Sequence, residues 1–166
     1  MNLVDSSKGL IKIPDSENFS IYVCGITPYD STHLGHAATY LAFDLINRYQ
    51  FLSKHQVKFI ENVTDIDDPL LERAKRDNLE WQTLAQGQID LFKSDMSALR
   101  ILPPEKLVKV TDSFDLIEKF ITQLSERGFL YKVEEDYYFS VSDFLDDLPI
   151  SVDQAKTIFE ERGGDP

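Results

Sequence analysis

Hydrophobic and polar positions alternate early in the chain and then change period. Phe19-Ser20-Ile21-Tyr22-Val23-Cys24 alternates and then turns apolar, the pattern of a partly buried strand. Gly25 to Thr32 reads as a loop, with turn chemistry in Thr27-Pro28-Tyr29-Asp30. Thr32 is placed as the N-cap of a long helix on which Leu34, Ala38, Leu41, Leu45 and Leu52 share one face. Val57 to Val63 reads as a second strand. Strand, helix, strand with a crossover of this length is the βαβ unit of a parallel sheet.

Beyond that unit the pattern is helical. Pro69 to Asp77 and Trp81 to Leu99 read as helices, the second ending before Pro103-Pro104. Val110, Phe114, Ile117, Ile121 and Leu124 recur at fours and threes, marking an amphipathic helix that Gly128 closes. Leu130 to Val133 and Tyr137 to Val141 suggest a hairpin across Glu134-Glu135-Asp136, and Ser151 to Arg162 a last helix stopped by Gly163-Gly164. The mixed Ser, Asp, Lys and Gly of residues 1–18 read as a loose lead-in. The fold class is α/β, with an α/β segment at 19–68 and a mostly helical segment at 69–166. Two parallel strands are too few for a stable sheet. Further strands are therefore expected from beyond Pro166 or from a partner.

Composition adds boundaries rather than chemistry. Across 166 residues, 42% hydrophobic and 28% charged is ordinary for a globular domain. No apolar run approaches the roughly 20 residues that cross a bilayer, and Met1 to Asp5 lacks a basic, apolar leader. A cytoplasmic location with no membrane partner is the expectation. The net charge of −12 repels phosphate backbones and weighs against a nucleic-acid partner, a local basic groove or a separate domain aside. Cys24 is the single cysteine, so no intrachain disulfide forms. By composition alone it is a small buried strand residue.

The stretch from Cys24 to His36 carries the chemistry. In parallel sheets, ligands bind at the carboxyl ends of strands. His33 and His36 are three apart, on one side of the first helical turn, where free N–H groups and the helix dipole seat an anion. Gly35 between them leaves room for a base or sugar to approach the backbone. Together the parts suit a nucleoside triphosphate. Two histidines at this spacing also form surface pairs or metal-ligand pairs, but no third histidine lies near, His55 being at the far end of the helix. By chemistry alone, the nucleotide site and the surface pair stand level.

His33-Leu34-Gly35-His36, at a strand-loop-helix junction, resembles the HIGH signature of class I aminoacyl-tRNA synthetases. With Cys24-Gly25, Tyr29-Asp30, Phe43-Asp44 and Asn62-Val63-Thr64-Asp65-Ile66-Asp67-Asp68, the chain is similar to cysteinyl-tRNA synthetases. It departs from them at Ile26, Pro28, Ala38 and Pro69. Those positions, Asn62 through Ala74, and the closing Glu161-Arg162-Gly163-Gly164-Asp165-Pro166 resemble the cysteine ligases of mycothiol biosynthesis, which join cysteine to an amino sugar. The resemblance runs from about Ile21 to Pro166 and is looser in the helical segment.

The resemblance implies the N-terminal half of a class I synthetase-type Rossmann fold, a HIGH-motif nucleotidyl transferase, with a mostly helical insertion ending in the closing hexapeptide. It implies ATP-dependent activation of cysteine to cysteinyl-adenylate, ATP entering with Mg2+, and transfer to the amino group of glucosaminyl-inositol. Cys24 would be a ligand of a Zn2+ that binds the substrate thiolate and so rejects serine. Cys24, Gly25, Ile26 and Thr27 would line the adenylate pocket, and Thr39, Asn62, Val63 and Thr64 would touch the same intermediate. His33 and His36 would hold the ATP phosphates. Asp65, Asp67 and Asp68 receive no catalytic role. The family's other zinc ligands and a Lys-rich loop belong to its second half. The chain is therefore expected to be truncated and inactive alone. Transfer RNA is not expected as a partner, and the oligomeric state is not legible. A cysteinyl-tRNA synthetase fragment and a non-catalytic nucleotide- or partner-binding remnant are the alternatives.

Overall fold

The computed structural model describes residues 1–5, 8–13, 16–141, 144 and 150–161. The chain divides into two compact units. One comprises residues 15–117, the other 1–14 with 118–166. The division falls after Ile117.

The unit spanning 15–117 carries a three-stranded parallel sheet. After the N-terminal strands β1 (Asn2–Asp5) and β2 (Gly9–Lys12), its strands are β3 (Asn18–Ile26), β4 (Gln56–Val63) and β5 (Lys106–Lys109), in the order β3-β4-β5. Both pairings are parallel. Helix α1 (Leu34–Leu52) makes the first crossover, and α2 (Asp68–Asp77) with α3 (Trp81–Ala98) makes the second. The βαβ unit expected from the pattern is present, with Cys24 near the carboxyl end of the first sheet strand. β5 corrects the expectation that further strands must come from outside. It is four residues long, and Lys-Leu-Val-Lys is too short to show a period.

One face of this sheet holds the core. Ile21, Val23, Ile26, Phe59 and Val63 meet Tyr40 of α1 and Ile89, Phe92 and Met96 of α3 in one buried cluster. Strand alternation sends Tyr22 and Cys24 to the other, exposed face. A second small cluster joins Leu70 and Ala74 of α2 to Leu84 and Ala85 of α3, with Trp81 packed against them.

Helix α1 does not bury the leucine face read from its sequence. Leu34 is 88% exposed and Leu45 68%, while Tyr40, Asp44, Asn47 and Gln50 are buried. The polar members are covered because they have partners. Asp44 takes a salt bridge from Arg48 and the Leu102 N–H at 3.0 Å.

The aspartates after β4 are structural. Buried Asp65 accepts from the Thr111 N–H at 3.0 Å and from its hydroxyl at 2.6 Å, fixing the 3-10 turn Thr111–Ser113. Asp67 is the N-cap of α2 and Asp68 lies in its first turn, where negative charge suits the helix dipole.

In the other unit, β1 and β2 form an antiparallel hairpin where the sequence read as a loose lead-in. Helix α4 (Phe114–Glu126) belongs to it from Glu118 onward, and Gly128 follows the helix at φ 76, the left-handed conformation of a helix stop. β6 (Leu130–Val133) and β7 (Asp136–Phe139) form the expected hairpin, and α5 spans Val152–Glu161. Of the closing hexapeptide, Arg162 to Pro166 lie outside the described residues.

Candidate active site

The end of β3 is built around one extra residue. Val23 pairs with Glu61 and Ile26 with Val63, so three steps on β3 oppose two on β4. This bulge resets the alternation. Without it, Gly25 would take the inward place and Ile26 would face outward. With it, Ile26 is buried at 4% exposure and Cys24 stays exposed.

Gly25 is required at the bulge. A Cβ built there would lie 1.4 Å from the Asn62 carbonyl oxygen. The bulged N–H of Gly25 donates instead to the Asn62 side-chain oxygen at 2.9 Å, and the Tyr22 hydroxyl donates to the same atom at 2.9 Å. Asn62 thus latches β4 to the strand end that carries Cys24. The Tyr40 hydroxyl, from α1, donates to the Cys24 carbonyl at 3.2 Å. Burial, with the charges of Glu61 and Cys24, pushes the Tyr40 hydroxyl well above its usual range and keeps it a donor.

The two histidines close the first turn of α1. His33, not Thr32, is the N-cap. Its Nδ1 accepts from the Gly35 N–H at 3.0 Å, and the His36 Nδ1 accepts from the His33 N–H at 3.3 Å. This is a capping box made from two imidazoles instead of the usual Ser or Thr with Glu. The rings stack with centroids 4.0 Å apart. A Cβ on Gly35 would meet the His33 ring at 2.8 Å, so the space left by this glycine is filled by His33 itself rather than left for a ligand.

Two of the helix-start N–H groups are therefore already bonded. An imidazole that accepts at Nδ1 is neutral there and carries its proton on Nε2. Both rings accordingly present an Nε2–H donor beside the positive end of α1. Burial, and then the neighbouring His33, holds His36 below the usual imidazole range, which favours the neutral form.

The loop between Cys24 and His33 is held from two helices. Arg73 of α2 donates to the Tyr29 carbonyl and to Asp30 at 3.0 Å. The Ser31 N–H and then Arg73 hold the Asp30 carboxyl below the usual carboxylate range. Thr32 donates its hydroxyl to Asp95 of α3. The sequence alone assigns no role to Arg73, Asp95 or Tyr40. Only the register of distant segments brings them here.

The other expected site residues divide by what their side chains do. Ile26 and Val63 point into the core, 4% and 0% exposed, so their side chains are packing rather than pocket lining. The Ile26 carbonyl accepts the Thr64 N–H at 2.9 Å, tying the two strand ends together. Thr27 follows the strand end, and its carbonyl accepts the Tyr29 N–H at 2.9 Å. Thr39 is exposed on α1, its hydroxyl bonded to the Gly35 carbonyl at 3.1 Å.

Among the described residues, no group of three or more His, Cys, Asp or Glu side chains converges as a metal site. Cys24 offers one soft ligand where tetrahedral zinc takes about four. The described residues alone do not fit a zinc ion. No described helix is long and apolar enough to cross a membrane.

Comparison with known proteins shows the family of the chain. A family model described as tRNA synthetases class I (C) catalytic domain matches residues 10–164. A protein of Parafrankia sp. (strain EAN1pec) named L-cysteine:1D-myo-inositol 2-amino-2-deoxy-alpha-D-glucopyranoside ligase is 46% identical over 170 residues, covering 100% of this chain and 38% of its own length. A Thermomonospora curvata protein of the same name is 47% identical, covering 100% and 41%. A third, from Thermobispora bispora, is 52% identical over 149 residues, covering 88% and 37%. The chain spans about two fifths of the length of these relatives. A solved Mycobacterium tuberculosis methionyl-tRNA synthetase in complex with methionyl-adenylate superposes with a TM-score of 0.63 at 23% identity, covering 69% of this chain and 23% of that one. That likeness shows the shared fold. With its HIGH-type turn following a parallel strand, the chain belongs to the class I (C) tRNA-synthetase catalytic-domain family.

Proposed function

We propose that the protein to which this chain belongs activates cysteine with ATP and passes it to the amino group of glucosaminyl-inositol. The observation that carries this reading is identity of 46–47% across the whole chain to proteins named for that reaction. In the activation step the cysteine carboxylate attacks the α-phosphorus of ATP. A phosphate–oxygen bond breaks, pyrophosphate leaves and cysteinyl-adenylate forms. The sugar amine then attacks the acyl carbon, AMP leaves, and an amide forms with loss of the amine proton.

The role assigned to His33 and His36 is positional and electrostatic. Two neutral Nε2–H donors beside a helix N-terminus are suited to phosphate oxygens in an in-line displacement. The Asn62 latch and the Tyr40 bond hold the backbone of Cys24 and Gly25, the proposed floor for the aminoacyl end. A zinc ion, if the whole protein holds one, would take Cys24 as its single ligand from the described residues.

Cysteine-dependent exchange of pyrophosphate into ATP by the full-length protein tests the first half. Transfer of labelled cysteine to glucosaminyl-inositol, with tRNA as the competing acceptor, tests the second. The tRNA acceptor is the second reading, favoured by the description of the matching family. Efficient charging of tRNA without amide formation on the sugar would replace the first reading with the second.

A further inference from the structure

A cavity of about 390 Å3 opens between β4, α3 and the chain leading into β5. It shares no residue with the expected site and lies within the unit spanning 15–117. Its walls are mostly apolar, with Phe92 and Met96 from α3 and Ile101 and Leu107 beyond, while Lys93 and Ser97 of α3 line its edge. Glu61 lines the same cavity. Strand alternation puts it on the sheet face opposite Cys24.

Glu61 is 2% exposed, yet its carboxyl makes no hydrogen bond or ion pair with another described residue. The two other buried carboxylates behave differently. Asp44 is met by Arg48 and Leu102, and Asp65 by Thr111 twice. A buried acid without a partner costs stability, and buried polar groups are otherwise satisfied. Among the buried carboxylates of the described residues Glu61 is the exception, and the space it faces is where a partner fits.

We propose that this cavity binds a small organic cation, its ammonium group on Glu61 and its apolar body against Phe92, Met96, Ile101 and Leu107. The volume is within the range of small-ligand sites, about 300–1,000 Å3. A metal ion is excluded by the donor set, since one carboxylate among hydrocarbon walls supplies too few oxygens. An anion would meet Glu61 directly, and a purely apolar ligand would leave it unmatched. The chain's −12 charge draws cations towards it. Burial pushes the Glu61 carboxyl up to about 7, so the site is partly protonated near neutrality. The titratable groups facing it are Tyr40 from α1 and Lys93 at the cavity edge on α3. Tyr40 stays protonated through neutrality, so binding strengthens as pH rises through about 7.

Benzylamine is the probe, with benzyl alcohol and benzoate as its neutral and anionic counterparts. Each is titrated into the 166-residue chain at pH 8 and followed by amide chemical shifts. The expected result is saturable shifts clustered at the cavity residues with benzylamine, at least about tenfold weaker binding of benzyl alcohol, and none of benzoate. Glu61→Gln should weaken benzylamine at least about tenfold while leaving the benzyl alcohol affinity in place. Ser97→Phe, at an exposed position lining the cavity, should block both benzylamine and benzyl alcohol in a chain that melts as the parent does. No saturable binding of benzylamine, or equal binding by Glu61→Gln, would overturn the proposal.

Discussion

Replacing Glu61 with Gln should stabilise the chain, and only above acidic pH. Burial raises this carboxyl from its ordinary 4.5 to about 7. Between those values the folded chain keeps a proton that the unfolded chain has released. Stability from the neutral carboxyl is therefore complete below pH 4.5 and lost as pH rises through about 7. A change of this size corresponds to roughly 3 kcal/mol at pH 8. It is an upper figure, because the carboxyl faces a cavity that admits water. Gln is close in shape to the protonated acid and never ionises. The difference in unfolding free energy between variant and parent should be near zero at pH 4.5 and about 1–3 kcal/mol in favour of Gln at pH 8. Urea unfolding of both chains from pH 4.5 to 8.5 measures it, and taking the difference cancels every other titrating group. Two parallel curves would refute the reasoning, as would a Gln variant less stable at every pH.

Four other outcomes follow from the strand end and the helix cap. Gly25→Ala should cost about 3 kcal/mol or more in urea unfolding, because its Cβ meets backbone oxygen at 1.4 Å. Gly35→Ala should cost far less, since its clash is with the His33 ring, which can swing away. Asn62→Ala should destabilise by about 1–3 kcal/mol by orphaning the Gly25 N–H, and Asn62→Asp, which keeps the acceptor, should recover much of it. His36 is held below the usual imidazole range, so its contribution is present above about pH 6.5 and lost as pH falls through its lower folded value. The protection of the His33 amide, its exchange relative to the unfolded chain at the same pH, should therefore fall on acidification, and His36→Ala should remove that pH dependence.

The parts of the fold legible in the sequence were those written in side-chain period. The β3-α1-β4 unit, α2, α3, α4 and the β6-β7 hairpin all follow apolar spacing or flanking turn residues. The misread face of α1 shows the limit. Periodicity counts hydropathy, and Asp44 is buried because Arg48 and the Leu102 N–H, 58 residues away, compensate it. Leu45 next to it is exposed despite being apolar. β5 and the β1-β2 hairpin have strands of four residues, too short for alternation to separate from chance. At the candidate site, the residue types were legible and their bonds were not. Gly25 and Asn62 stood out by resemblance, but the bulge that makes each necessary is a matter of register between two strands.

The cap and the candidate anion seat use different nitrogens of the same two rings. Nδ1 of each imidazole is committed to a backbone N–H, and this fixes the tautomer and ring orientation before any ligand arrives. The donors left over are the two Nε2–H groups, together with N–H groups of the first turn that the rings do not cap. A Ser/Glu capping box would close the same turn but could not serve an anion in this way, because its carboxylate would repel one. Paired histidines satisfy the helix start and leave it electropositive at once. Gly35 is the condition for this, since only a residue without a Cβ lets the His33 ring fold back over the turn. The spacing of the motif is thus set by the geometry of the cap, and any chemistry at Nε2 inherits its placement from it.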